Sequence, residues 1–240
     1  MQRAEYDMAR ADALLSEETV QNYPDWLQNK FYFAAARDAV EESDASLAVR
    51  YLDAIDFARL DKEDLSTYDL LSGRIDEIEE RYEEALDTYG SVMNAAIRPT
   101  HAEAVYRTLV ILDKTNKVDV EKAKQTLELQ SLTWRGGHLA AKIQHMMGQF
   151  QFRSGDYRAG FETLELMAAE YQDTPDETAL YDEAKQVFAD VVVSGFDLSL
   201  RFFEGLVHPG VGDRFVLGQA EFLHHAIHAL GSEDAHQIVL

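Results

Sequence analysis

Apolar residues recur along almost the whole chain at spacings of three and four, and no stretch alternates with period two. That pattern predicts an all-α protein. It predicts helices near 3–18, 25–41, 45–59, 65–79, 82–97, 101–115, 119–132, 138–153, 157–171, 176–193, 197–206 and 214–230. The four prolines, Pro24, Pro99, Pro175 and Pro209, fall where the periodic segments break. The residues before them, Tyr23, Arg98, Thr174 and His208, are biased away from helical backbone, so the prolines punctuate the chain rather than kink it. Short connections between helices of this length make successive helices antiparallel neighbours, in a globular bundle or in a stack of hairpins.

Internal similarity decides between the two. Gly73-x8-Tyr82-x2-Ala85-x3-Tyr89 aligns with Gly148-x8-Tyr157-x2-Gly160-x3-Leu164 at an offset of 75, with every spacing kept. Half that offset finds further copies: Ala48, Ala85, Ala123 and Gly160 are 37, 38 and 37 residues apart, each followed four later by Leu52, Tyr89, Leu127 or Leu164. A small residue in a first helix, Ala36, Gly73 or Gly148, lets a partner helix approach closely. The small residue in the second helix receives a bulky side chain. Gly155-Asp156-Tyr157 reads as the turn within a hairpin, with Gly155 at positive φ and Asp156 capping the next helix. One hairpin leaves an apolar face wet, so stability comes from stacking neighbours.

Small residue, turn glycine, aromatic, small residue, large residue and then proline after the second helix is a pattern that resembles the tetratricopeptide repeat. The fullest copy is Met147-Gly148, Gly155-Asp156-Tyr157, Gly160 and Leu164, closing at Pro175; the next is Gly73, Tyr82, Ala85, Tyr89 and Pro99. The copies lack the usual Trp near their start, Arg81 stands where a glycine would precede Tyr82, and the period exceeds the roughly 34 residues of that family. A narrower resemblance over about residues 101–205 rests on Leu132-Thr133-Trp134-Arg135-Gly136-Gly137, Met147-Gly148 and Ser154-Gly155-Asp156-Tyr157-Arg158-Ala159-Gly160. It is similar to the central portion of large bacterial envelope-associated proteins of this repeat class. That likeness implies an internal piece of a longer exported protein and brings no catalytic residues with it.

Charge then narrows the partners. The 240 residues hold 22 Lys and Arg against 44 Asp and Glu, a formal net charge of −22, with eight His and no Cys. Such a chain repels phosphate backbones and anionic membranes, so nucleic acid is not its expected partner. The absence of Cys removes disulfides, thiol nucleophiles and thiolate metal sites. Charges at Arg3, Glu5, Asp7, Arg10 and Asp12 exclude a secretory signal, and the apolar stretch Phe188 to Val193 is far shorter than a membrane span. The expected compartment is the cytoplasm, or the periplasm or envelope if the chain belongs to a longer exported protein. Both ends are abrupt, Met1 entering at once into a helical pattern and the chain stopping on Ile238-Val239-Leu240, as expected of a fragment.

Chemistry-bearing clusters are few. Glu221, His224, His225 and His228 share a helix face in Glu-Phe-Leu-His-His-Ala-Ile-His, a half-site for Zn²⁺. The metalloprotease pattern His-Glu-x-x-His and a fourth ligand are missing, so packed or solvated histidines are the simpler reading. Asp76, Glu77, Glu79, Glu80, Glu83 and Glu84 read as a solvated acidic face, because no calcium loop organises them. Trp134 and Arg135 have the composition of a binding hot spot and also of a packed inter-repeat turn. The glycines from Gly205 to Gly218 make neither a phosphate loop nor a dinucleotide fingerprint.

The resulting expectation is a right-handed α-solenoid of TPR-like hairpins with a period near 37: an N-terminal helix over 1–24, repeats over 25–175 and a divergent helical extension or cap over 176–240. It is expected to be no enzyme, to need no cofactor, and to bind a neutral or basic protein segment in the groove of its first helices. The residues expected to line that groove are Tyr32, Tyr68, Arg74, Arg107, His145 and Gln149, with Trp134 and Arg135 beside them. The competing expectations are a spacer within a longer array, self-associating through its terminal repeats, and a metal-binding protein built on Glu221, His224 and His228.

Overall fold

In the computed structural model, residues 18–134, 137–172 and 174–193 are described. Among them the protein is all-helical: α1 (Asp25–Glu41), α2 (Ala45–Asp53), α3 (Lys62–Ile78), α4 (Tyr82–Ala95), α5 (Thr100–Lys114), α6 (Val120–Thr133), α7 (Gly137–Arg153), α8 (Tyr157–Glu170) and α9 (Pro175–Val193). The helices expected over 3–18, 197–206 and 214–230 lie outside these residues, apart from the last residue of the first. The periodicity survives in the backbone. The helices α1, α3, α5, α7 and α9 begin 37, 38, 37 and 38 residues apart, and α2, α4, α6 and α8 begin 37, 38 and 37 apart. None of the described helices is long and apolar enough to cross a membrane.

The chain divides into two compact units, residues 1–118 and 119–240. In the first, α1 pairs with α2 and α3 with α4, and α5 packs on α4 and α3. Ala35, Ala36, Ala39 and Val40 of α1 meet Ala48, Tyr51 and Leu52 of α2 and Leu71 and Ile75 of α3 in one cluster. Leu70, Ala85, Tyr89, Val92, Ala104 and Ile111 form the next. In the second unit α7 pairs with α8, α6 packs on α7, and α9 lies against both α7 and α8. Phe152, Leu164, Met167, Leu180 and Ala184 fill its core. The segment read as a divergent extension therefore starts with a helix that keeps step with the repeat.

The same turn ends each first helix of a hairpin. The backbone N–H of Asp44, Arg81, Lys117 and Asp156 donates to the carbonyl five residues back, on Ala39, Asp76, Leu112 and Gln151. Ser43, Glu80, Asn116 and Gly155 precede them at φ between 54 and 79, as a left-handed helix stop requires. Asp44, Asp119 and Asp156 then cap α2, α6 and α8 by accepting from Leu47, Lys122 and Ala159. Gly155 and Asp156 thus behave as their sequence predicts.

One helix is shorter than its pattern. The expected helix over 45–59 stops at Asp53, followed by a 3-10 turn at Phe57–Arg59. The cause is Asn29 on α1, whose Nδ2 donates to the Asp56 carbonyl at 3.1 Å while its Oδ1 accepts from the Asp56 N–H at 3.0 Å. Asp56 in turn accepts from the Ala58 N–H. Asp61 accepts from the N–H groups of Glu63 and Asp64, which begins α3 ahead of its first strongly apolar position. Ser66, 37 residues after Asn29, fastens the next connection through the Thr100 hydroxyl at 2.6 Å.

Packing explains the small residues. A Cβ on Gly73 would lie 2.7 Å from the Tyr89 ring, one on Gly148 2.7 Å from Leu180, and one on Gly160 2.5 Å from Phe152. Gly148→Leu is therefore expected to destabilise the fold by about 1–3 kcal/mol through overpacking. Gly90→Ala on α4, where nothing lies within 4 Å, should stabilise it by up to about 1 kcal/mol through helix propensity. Urea unfolding midpoints of the two variants check both signs.

Candidate functional site

Arg74 sits in the middle of α3 with only 6% of its side chain exposed. Its Nη1 donates to Glu41 on α1 at 2.9 Å and to Glu103 on α5 at 3.3 Å, and its Nη2 donates to the Val40 carbonyl at 3.4 Å. Its Nε lies 3.9 Å from Glu77, one turn along the same helix. Arg107 on α5 approaches the same Glu41 oxygen at 3.8 Å and Glu77 at 3.6 Å. Glu77 completes the set by accepting from the Tyr89 hydroxyl on α4 at 2.7 Å. Two guanidinium groups interleaved with three carboxylates thereby tie α1, α3 and α5 together.

Burial works against a charged Arg74, but Glu41 first, then Glu103 and Glu77, outweigh it and hold its pKa above the ordinary value. Burial and then the Glu77 carboxylate push the Tyr89 hydroxyl far above its usual range, so it remains a donor. These groups are spent on one another. Unpaired, a buried guanidinium costs several kcal/mol; multiple charge-assisted hydrogen bonds offset that cost here.

The second unit repeats the device with different chemistry. Gln149 stands 75 residues after Arg74 and, like it, reaches a carboxylate on the next first helix, donating from Nε2 to Glu183 of α9 at 2.7 Å. One turn earlier, His145 places Nδ1 3.4 Å from Asp176 and Nε2 3.4 Å from Glu183. Of the expected groove residues, Arg74, Arg107, His145 and Gln149 thus all bridge first helices, and Arg74 is not presented to solvent.

The aromatic candidates are packed rather than free. Tyr32 stacks at 6.4 Å on Tyr51 and meets Phe31 edge-on, at the margin of the first core cluster. Tyr68 packs on that cluster too, with Phe57 edge-on at 4.5 Å. Trp134 is half-buried at the extended residue that ends α6, and its Nε1 is shielded from solvent with no acceptor among the described residues. Arg135, Glu221, His224, His225 and His228 lie outside the described residues. Among those that are described, no group of three His, Asp or Glu side chains is placed to hold a metal ion.

The acidic run needs correction. Glu79, Glu80, Glu83 and Glu84 are exposed, as a solvated face requires, but Glu77 has only 16% of its side chain exposed and serves both arginines. Asp76 and Glu79 are paired with Arg81. Sequence reasoning found the cations of both networks and missed their acidic partners, Glu41, Glu77, Glu103, Asp176 and Glu183. The signal for Glu77 was its place one turn after Arg74; the others meet their partners across 29 to 38 residues of chain, where no local spacing points to them. In comparison with known proteins, no family model and no curated sequence matches the chain.

Arg74→Met should leave three carboxylates facing one another and destabilise the protein by about 3–5 kcal/mol, as expected for a buried ion network deprived of one partner. Arg81→Ala, which breaks half-exposed pairs, should cost no more than about 1 kcal/mol. Chemical denaturation of the two variants side by side measures the difference.

Proposed function

We propose that the chain is a non-catalytic protein-binding scaffold of TPR-like hairpins, stacked as a right-handed solenoid whose first helices line a groove for a partner segment. The observation that carries this reading is the recurrence of first-helix starts every 37 or 38 residues, with a polar side chain at Arg74 and again at Gln149 linking each first helix to the next. Repeats that stack in this way expose a continuous face of first helices, and such faces bind extended or helical segments. The networks give the groove a rigid, self-neutralised wall. Contacts to the partner come from the groups that keep part of their surface, Glu41, Glu103, Arg107 and Tyr68. Net charge directs the choice of partner toward a neutral or basic segment, and association should slow as salt rises.

A pull-down with the full chain from the source cell at low and moderate salt, followed by titration of the purified candidate partner, tests the proposal. The expected result is one stoichiometric basic partner whose affinity falls at least about tenfold when Glu41 and Glu103 are both changed to Gln, with the fold retained. No stoichiometric partner, together with self-association of the purified chain, would replace the scaffold by a spacer. Binding unchanged by salt and by the double variant would place the partner elsewhere on the surface.

A further inference from the structure

His145 has a carboxylate oxygen at 3.4 Å on each of its two ring nitrogens, Asp176 at Nδ1 and Glu183 at Nε2. Carboxylates only accept, and a neutral imidazole has one donor nitrogen, so the arrangement is satisfied only when both nitrogens carry protons. Both carboxylates come from α9, and neither α6 nor α8, the other helices packed on α7, places a charged group against the ring. Gln149 adds a 2.7 Å hydrogen bond to the same Glu183. A few residues away, Leu180 fills the notch left by Gly148, and with Ala184 it brings α9 into the core of the unit.

We propose that His145 is a charged latch: as an imidazolium it pins α9 to α7 through Asp176 and Glu183, and α9 is fully seated only while that ion triad is intact. The latch has an alkaline and an acid edge. Burial lowers the pKa of His145, but the hydrogen bonds and charges of Asp176 and Glu183 outweigh it and raise it from the usual 6.5 to about 9. Its contribution is complete below the usual histidine value and is lost as pH rises through about 9. Burial raises the pKa of Glu183, but His145 and Gln149 carry it below its ordinary 4.5. That contribution is present above the ordinary value and is lost as pH falls through the depressed one. Between these edges the triad holds, and opening it uncovers Leu180, Met167 and Phe152, now buried.

Long-range proton–nitrogen NMR of the full chain tests the latch, with His145→Gln assigning the resonance. The expected spectrum at about pH 7.5 shows both ring nitrogens of His145 protonated, and Glu183→Gln, which keeps the side-chain size, moves the titration down toward the ordinary histidine range. A single-proton tautomer at that pH, or a titration untouched by Glu183→Gln, would overturn the proposal. Hydrogen exchange gives the second readout. In His145→Gln at neutral pH, amides of α9 should exchange several-fold faster while those of α8 keep their protection. Equal rates in α9 would likewise reject the latch.

Discussion

Close approach of a small residue to a bulky one sets the helix spacing from which the rest of this protein follows. Where Gly73 faces Tyr89, Gly148 faces Leu180 and Gly160 faces Phe152, there is no room for a methyl group, so backbones come together and large side chains fill the space between them. That spacing brings the Tyr89 hydroxyl to Glu77 and the carboxylates of α9 within reach of His145 and Gln149. Ala36 and Ile111, in step with Gly73 and Gly148 along their helices, show that the rule bends: both are buried, but Ile111 brings its own bulk into the cluster with Tyr89.

Polar cross-links do a different task. An apolar seam between first helices tolerates sliding, because dispersion contacts are non-directional. A guanidinium shared between Glu41 and Glu103 does not, since its hydrogen bonds hold only in one register. Arg74 in one unit and Gln149 with His145 in the other therefore act as register pins between helices that hydrophobic packing alone would align loosely. The two sets differ in what they respond to: a guanidinium stays charged across the accessible range of pH, whereas an imidazole does not.

Much of this was legible in the sequence, and the reason is local. Helix positions, the turn at Gly155-Asp156 and the small residues at Gly73, Ala85 and Gly148 depend on neighbours a few places away or on an equivalent place one repeat along. The stop of α2 at Asp53 was not legible, because it is imposed by Asn29 from another helix. Arg74 was identified as important and misjudged in its exposure: a lone arginine on a polar stripe looks solvated until Glu41 and Glu103 are seen converging on it. The acidic run showed the same limit. Composition marks it as surface, and only the fold separates Glu77, turned inward to two arginines and a tyrosine, from Glu83 and Glu84, which remain in water.

The turns that end α1, α3, α5 and α7 share one hydrogen-bonding arrangement, yet glycine occupies the left-handed position only at Gly155; Ser43, Glu80 and Asn116 fill it elsewhere. Each substitution carries a modest conformational penalty that a stacked array absorbs, because helices packed on both sides of the turn hold it in place. Such repeats can drift in evolution, shedding signature residues one turn at a time while conserving geometry. In a lineage of this kind, ancestry is preserved less in which residues recur than in the interval at which helices begin.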